Sequence, residues 1–161
     1  MAHVFPGRYT AQIDEPFAVF IIGMRVNQIL RLGSWLRVAR AMPRMLAELY
    51  RHPEMGFLHG EIILYWRGVG LIQYWRSFDH LHAYAHDREA AHLPAWADFN
   101  RRIGASGSVG IWHETYLVER GSYESIYANM PAFGLARAST HVPVTGRLES
   151  AQSRIARARS E

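Results

Sequence analysis

The chain contains no cysteine and no lysine. Without thiols it can form no disulfide, offers no thiolate nucleophile and cannot hold a cysteine-ligated zinc or iron–sulfur centre. Long apolar runs are also missing. No stretch approaches the roughly 18 uncharged apolar residues that span a bilayer, and the longest, Phe17 to Met24, has the length of a strand. There is no glycine loop opening a helix in the manner of a nucleotide fold, because the "GVG" at 68–70 falls in a hairpin. A serine elbow, a Walker motif and HExxH are absent too, which argues against flavin, dinucleotide and triphosphate use. The opening "MAHVFPGRYTAQIDEP" lacks the basic-then-apolar layout of a signal peptide, so the expected location is cytoplasmic.

Arginine supplies all eighteen basic residues, a usage that reads as codon bias in a GC-rich genome. From Arg137 onward five arginines face Glu149 and Glu161, which puts +3 of the net +4 in the tail. The remainder then reads as nearly neutral, and neither a nucleic-acid nor a membrane partner is expected.

What is present is the material of one ordinary domain: 161 residues, half apolar and a fifth charged. Residues 1–16 read as an arm, 17–133 as the domain, and 134–161 as a loosely ordered, arginine-bearing extension. "FAVFIIGMRVN" (17–27) is β-branched and aromatic, a strand buried on both faces. "GSWLRVARAMPRMLAELY" offers Ser34 as N-cap and an apolar stripe from Trp35 to Leu49, with a kink or fresh start expected at Pro43. "FLHGEIILYW" and "VGLIQYW" flank Arg67-Gly68 as a hairpin. In its first strand Leu58, Ile62, Leu64 and Trp66 share the face expected to meet the helices; His59, Glu61, Ile63 and Tyr65 share the other. Ser77 caps a short helix, Pro94 and Gly104 bound a second, and "SGSVGIWHETYLV" and "YESIYANMP" are strands. Strand, helix, strand, strand, helix, strand is the split βαβ order, so an α+β, ferredoxin-like fold with an antiparallel sheet is expected. Its mixed face calls for a second copy, giving a homodimeric α+β barrel.

Candidate chemistry is carried by a few side chains. His113 and Glu114 are adjacent, and a strand's period of two sends them to opposite faces, so they are no direct dyad. Glu114 shares its face with Trp112 and Tyr116, and the expectation places that trio in the helix-covered pocket and His113 in the dimer barrel. A carboxylate there needs a partner, an arginine or a tyrosine hydroxyl. His92, at a helix entry before Pro94, can cap, remain neutral or ligate a metal. His82 and His86 are four apart but have no acidic third ligand at a familiar spacing, so no all-protein metal site is expected. His59 and Glu61 form a same-face pair expected to be exposed or dimer-facing. The aromatic load, Tyr74, Trp96, Trp112 and Tyr116 among it, suits a flat apolar ligand.

"LIQYWRSFDHLHAYAHD", "HLPAWADFNRRIG", "VGIWHETYLV" and "YESIYANMPAFGLARA" together resemble the small monooxygenase-like family of the dimeric α+β-barrel superfamily, relatives of the antibiotic-biosynthesis monooxygenases. The resemblance runs from about Phe17 to Ala138. It implies a ferredoxin-like subunit, and it carries with it His92, His113–Glu114, Trp112, Tyr116 and the "YxNMP" segment with Asn129. Superfamily members oxygenate phenols without a cofactor, bind haem through a helix histidine, or dehydrate aldoximes. The expected activity is therefore monooxygenase-like, on an apolar aromatic or polyketide-like molecule. His92 or Glu114 would act as base, His113 would be a further catalytic candidate, and Asn129 would be an oxyanion donor. In a haem b version His92 is the preferred axial ligand, with His113 second. The alternatives are a non-catalytic carrier of a small molecule or haem, and a haem-dependent lyase of the aldoxime-dehydratase type.

Overall fold

In the computed structural model, residues 2–87, 97, 100–101 and 106–160 are described. The strand read from its β-branched run is β2 (Phe17–Val26), and it becomes the inner strand of the main sheet. Helix α1 (Leu32–Arg51) follows, then a 3₁₀ turn at Pro53–Met55 and the hairpin of β3 (Phe57–Tyr65) and β4 (Gly68–Trp75). Helix α2 (Phe78–His86) leads towards β5 (Val109–Val118). The sheet runs β3-β4-β2-β5 with every neighbour antiparallel. This is the ferredoxin-like order read from the sequence.

α1 differs at both expected punctuation marks. It starts at Leu32 with Arg31 in the cap position and no side-chain cap, not at Ser34, and it runs through Pro43 without a break. Met42, Leu46 and Leu49 pack into the core on either side of the proline. Burial of that row outweighs the one lost backbone bond. Ser77 does cap α2, its hydroxyl accepting from the His80 amide at 3.3 Å. The Pro94–Gly104 helix expected from the sequence lies outside the described residues.

The register assigns the faces. Ala18, Phe20 and Ile22 of β2, with Leu71 and Trp75 of β4, turn towards α1 and α2, where Leu46, Leu49, Leu81 and Tyr84 complete the core. β3 carries a bulge between Phe57 and His59. After it, Ile62 and Leu64 lie opposite Leu71 and Val69, on the helix side as expected. They are nevertheless exposed, on the edge strand of the sheet.

The terminal segments are more regular than the sequence indicates. Within residues 1–16, β1 (Phe5–Gln12) pairs with β6 (Tyr127–Met130) on one side and β7 (Thr140–Pro143) on the other. The expected last strand, shortened to β6, thus joins a second sheet rather than the main one. A short helical turn α3 (Leu135–Ala138) precedes β7, and α4 (Ala151–Ser160) closes the chain. Leu135, Ala136 and Ala11 pack on Phe17, Val19 and Tyr74, so the chain covers one end of its own second sheet face. Arg154 pairs with Glu124 and anchors α4 to the strap between β5 and β6.

Trp75 is fully buried, touches Phe57 and Tyr84 edge-on or tilted, and donates from its indole nitrogen to Gln73 at 2.8 Å. Trp75→Ala should cost about 3–5 kcal/mol in a urea titration. Trp66→Ala, at an exposed turn position, should change stability by less than about 0.5 kcal/mol.

Candidate functional site

Because β2 is the shared partner, its register with β5 decides where each candidate points. Ile22 lies opposite His113 and Ile21 opposite Glu114. His113 therefore stands on the helix side, with its ring centroid 5.5 Å from that of Phe20. Glu114, Trp112 and Tyr116 stand on the other face. This reverses the expectation that put the Glu114 trio under the helices. The reason is that both β5 rows are mixed, and only the apolar even row of β2 settles which one follows it.

On the second face the predicted residues divide into three groups. Tyr116 donates to the Glu114 carboxylate at 2.6 Å, which is the tyrosine partner the sequence required. The carboxylate accepts this bond and opposes a phenolate beside it, and so raises the Tyr116 pKa. Trp112 donates from its indole nitrogen to Tyr65 at 2.8 Å, and Tyr65 donates to the Met24 carbonyl at 2.7 Å. The indole lies flat on Gly23, where an added Cβ would come within 2.7 Å of it. Tyr74 is separate, half-buried under the Gly134 turn, and burial raises its pKa.

Asn129 is not near either group. It adopts a positive φ of 53° at the point where β1 and β6 shift register, and its side-chain oxygen accepts from Gly7 N at 2.9 Å. That is the work of a turn-tolerant residue closing an irregular strand pair. His92 and Trp96 lie outside the described residues.

The structure adds a cluster that the sequence only half showed. His59 and Glu61, expected to be exposed or dimer-facing, are buried and half-buried respectively, and are bonded, Nε2 to Oε1 at 3.0 Å. Tyr50 reaches from the end of α1 around the edge of β3. Its hydroxyl meets His59 Nδ1 at 2.9 Å and takes the Gly60 amide at 3.2 Å. With Glu61 as a carboxylate, His59 donates from Nε2 and accepts the Tyr50 hydroxyl at Nδ1. Glu61 also accepts the Gly134 amide at 3.2 Å, with Arg137 3.8 Å away. The line Tyr50–His59–Glu61–Gly134 therefore ties a helix, an edge strand and the C-terminal segment together. The polar pair was visible in the sequence. Its cover was not, because that cover comes from 73 residues further along.

Among the described residues no three histidine or carboxylate side chains converge on a metal-sized site. His82 and His86 stack on each other at 4.1 Å, and His86 bonds the His82 carbonyl through Nδ1.

Fold and site together define an α+β protein of ferredoxin-like order, with an exposed imidazole on the helix side of its edge strand and a second face part-closed by its own C-terminal segment. The chain belongs to the Monooxygenase af470-like family, whose profile matches residues 17–135. Monooxygenase af470 of Aspergillus fumigatus is 33% identical over 167 residues, covering 88% of this chain. The chain spans 58% of that relative's length. Among solved structures, an aldoxime dehydratase crystallised with butyraldoxime superposes with a TM-score of 0.63 at 16% identity, over 81% of this chain and 41% of that one. At such identity the likeness is one of fold. SnoaB, a cofactor-independent oxygenase from Streptomyces nogalater, matches with a TM-score of 0.45 at 14% identity, over 62% of this chain and 90% of its own.

Two outcomes check this geometry. Glu114→Gln should bring the Tyr116 pKa back down towards its ordinary value, read by ultraviolet titration of the phenolate against wild type. Gly23→Ala should displace the Trp112 ring from Tyr65, changing indole emission and costing about 1–3 kcal/mol.

Proposed function

We propose that this chain is a monooxygenase-like oxidoreductase acting on an apolar aromatic or polyketide-like small molecule held against the helix side of the sheet. The observation that carries the reading is His113, an imidazole on that face beside Phe20 and opposite Ile22. His113 is solvent-exposed on the edge strand β5, and an accessible imidazole beside an aromatic ring suits removal of a proton from a phenolic or enolic carbon acid. In the cofactor-free form His113 takes that proton. The carbanion reduces dioxygen, a peroxide forms at the carbon, and loss of water leaves a carbonyl. One oxygen atom enters the product, and the other leaves as water with the two hydrogens of the substrate methylene. His92 and Trp96, on the segment joining α2 to β5, belong to the same proposal as a second base and a ring wall. Glu114, on the opposite face and engaged by Tyr116, is assigned no step.

A haem-assisted version is the second reading, and the same imidazole supports it. Haem needs only one protein imidazole as its ligand. His113 or His92 would hold haem b, which when bound would supply oxygen activation at iron. The open end of the second face, with Ile21, Ile63 and Ile72 half-buried beside Trp112, is assigned to a second copy packed sheet against sheet. Sedimentation equilibrium should then give a dimer mass.

The discriminating experiment is dioxygen uptake with naphthol and anthrone-type substrates. His113→Gln should lower kcat by about 100-fold or more, with ligand affinity retained, while Glu114→Gln stays near wild type. Unchanged turnover in His113→Gln would remove the assignment, and ligand binding without oxygen uptake would make the chain a carrier. A Soret band on haemin titration that is lost in His113→Ala would favour the haem version; its absence from the wild type would eliminate that version.

A further inference from the structure

One end of the main sheet gathers the loop after β2, the start of α1, the β3–β4 turn and the approach to β5. Arg67 ties them: its carbonyl accepts Val26 N at 2.7 Å, and its guanidinium donates to the Asn27 carbonyl at 2.6 Å. Asn27 N and Gln28 N both bond the Ser108 carbonyl. The end is therefore built, and not a loose set of loops. It is also apolar outward. Leu30 is 96% exposed, Leu64 84% and Trp66 83%, and Ile29, Leu32 and Leu36 are exposed beside them. Leu64 stands on the α1 side of β3, opposite Val69, and Trp66 follows it in the β3–β4 turn, so all six are exposed at this one end of the sheet.

Its charge is one-sided. From Pro16 to Ala47 the sequence holds five arginines (25, 31, 37, 40 and 44) and no carboxylate. The loops at this end, 27–31, 66–67 and 106–108, carry none either. Asp14, Glu15, Glu54, Asp79 and Glu119 sit at the opposite ends of the same strands and at the first turn of α2. On α1, Leu32, Leu36, Arg40 and Arg44 follow one another at i, i+4 and are exposed, so a single ridge changes from apolar to cationic over about 18 Å. A nucleic acid would meet the leucines and the indole before the charges. A protein partner would need acidic groups around an apolar centre.

We propose that this end is a monotopic membrane contact: Leu30, Leu64 and Trp66 enter the interface of an anionic bilayer, and Arg31, Arg40 and Arg44 rest at its phosphates. No helix among the described residues is long and apolar enough to cross a membrane, and a surface contact requires none. The proposal is independent of the reading given to His113. It also revises the near-neutral body expected from total charge, because local segregation does not show in a net sum.

The test is co-sedimentation of the full chain with phosphatidylcholine vesicles, with and without phosphatidylserine, at low and high salt. Wild type should pellet with the anionic vesicles only, less so at high salt. Two variants should each reduce partitioning about tenfold while keeping the far-ultraviolet circular dichroism spectrum and melting temperature: Leu30→Glu with Leu64→Glu, and Arg31→Glu with Arg40→Glu and Arg44→Glu. Trp66→Phe should still bind but lose most of the vesicle-induced blue shift of tryptophan emission. The proposal is overturned if wild type stays in the supernatant, or if pelleting is equal on both vesicles and indifferent to the arginine variant. It is also overturned if the leucine variant only abolishes self-association in vesicle-free sedimentation velocity, which would assign the patch to a second copy.

Discussion

The pairing of β2 with both β4 and β5 is the constraint from which the rest follows. β2 is apolar on both faces, so it can sit only inside the sheet, where its even residues close against α1 and α2 and its odd residues against the second face. Once Ile22 stands opposite His113, every side chain of β5 is committed, since a shift by one residue would exchange the two rows. The imidazole then belongs with Phe20 on the helix side, and the carboxylate with Trp112 and Tyr116 on the other. No local feature of "GIWHETYLV" could impose that choice. It comes from a strand some ninety residues earlier.

The same asymmetry explains what could be read beforehand. The element order and the hairpin follow from periods of 2 and 3.6, which are local, and Ser77 follows from cap chemistry, which is local too. That His113 and Glu114 part company also needed only the strand period. Which of them faces the helices did not follow, because each row of β5 mixes ionisable and apolar groups. β1 was hidden for a different reason. Pro6 and Gly7 break its alternation, and its partners, Tyr127–Met130 and Thr140–Pro143, lie at the far end of the chain. Pro43 misled in the other direction, since a local breaker was overruled by the buried row of Met42, Leu46 and Leu49.

The Glu61 cluster shows how the C-terminal segment becomes part of the fold. A half-buried carboxylate and a buried imidazole on an edge strand would be costly alone. Here both ring nitrogens and one carboxylate oxygen have neighbours: Tyr50 for His59 Nδ1, Glu61 Oε1 for Nε2, and the Gly134 amide with Arg137 also on Oε1. Tyr50 also occupies the outward amide of Gly60, so one hydroxyl both satisfies the histidine and blunts an exposed edge. The Gly134 turn in turn lies over Tyr74, and Leu135 and Ala136 pack on Phe17. The pair therefore holds down the segment that buries it.

That covering divides the second face unequally. Near Phe17 and Tyr74 it is closed by β1, α3 and Tyr127 of β6 from the same chain, whereas from Gly23 to Tyr65 it is left to Trp112 and the isoleucines. A partner sheet has room only over the second half. The apolar and cationic end that carries Leu30, Leu64 and Trp66 lies at the strand ends and on the α1 side, away from that half. An occupant of the face and an occupant of the end need not compete. The helix-side row with His113 is a third surface again, so the one antiparallel sheet presents three chemically distinct boundaries, each fixed by which residues of β2 and β4 stand opposite it.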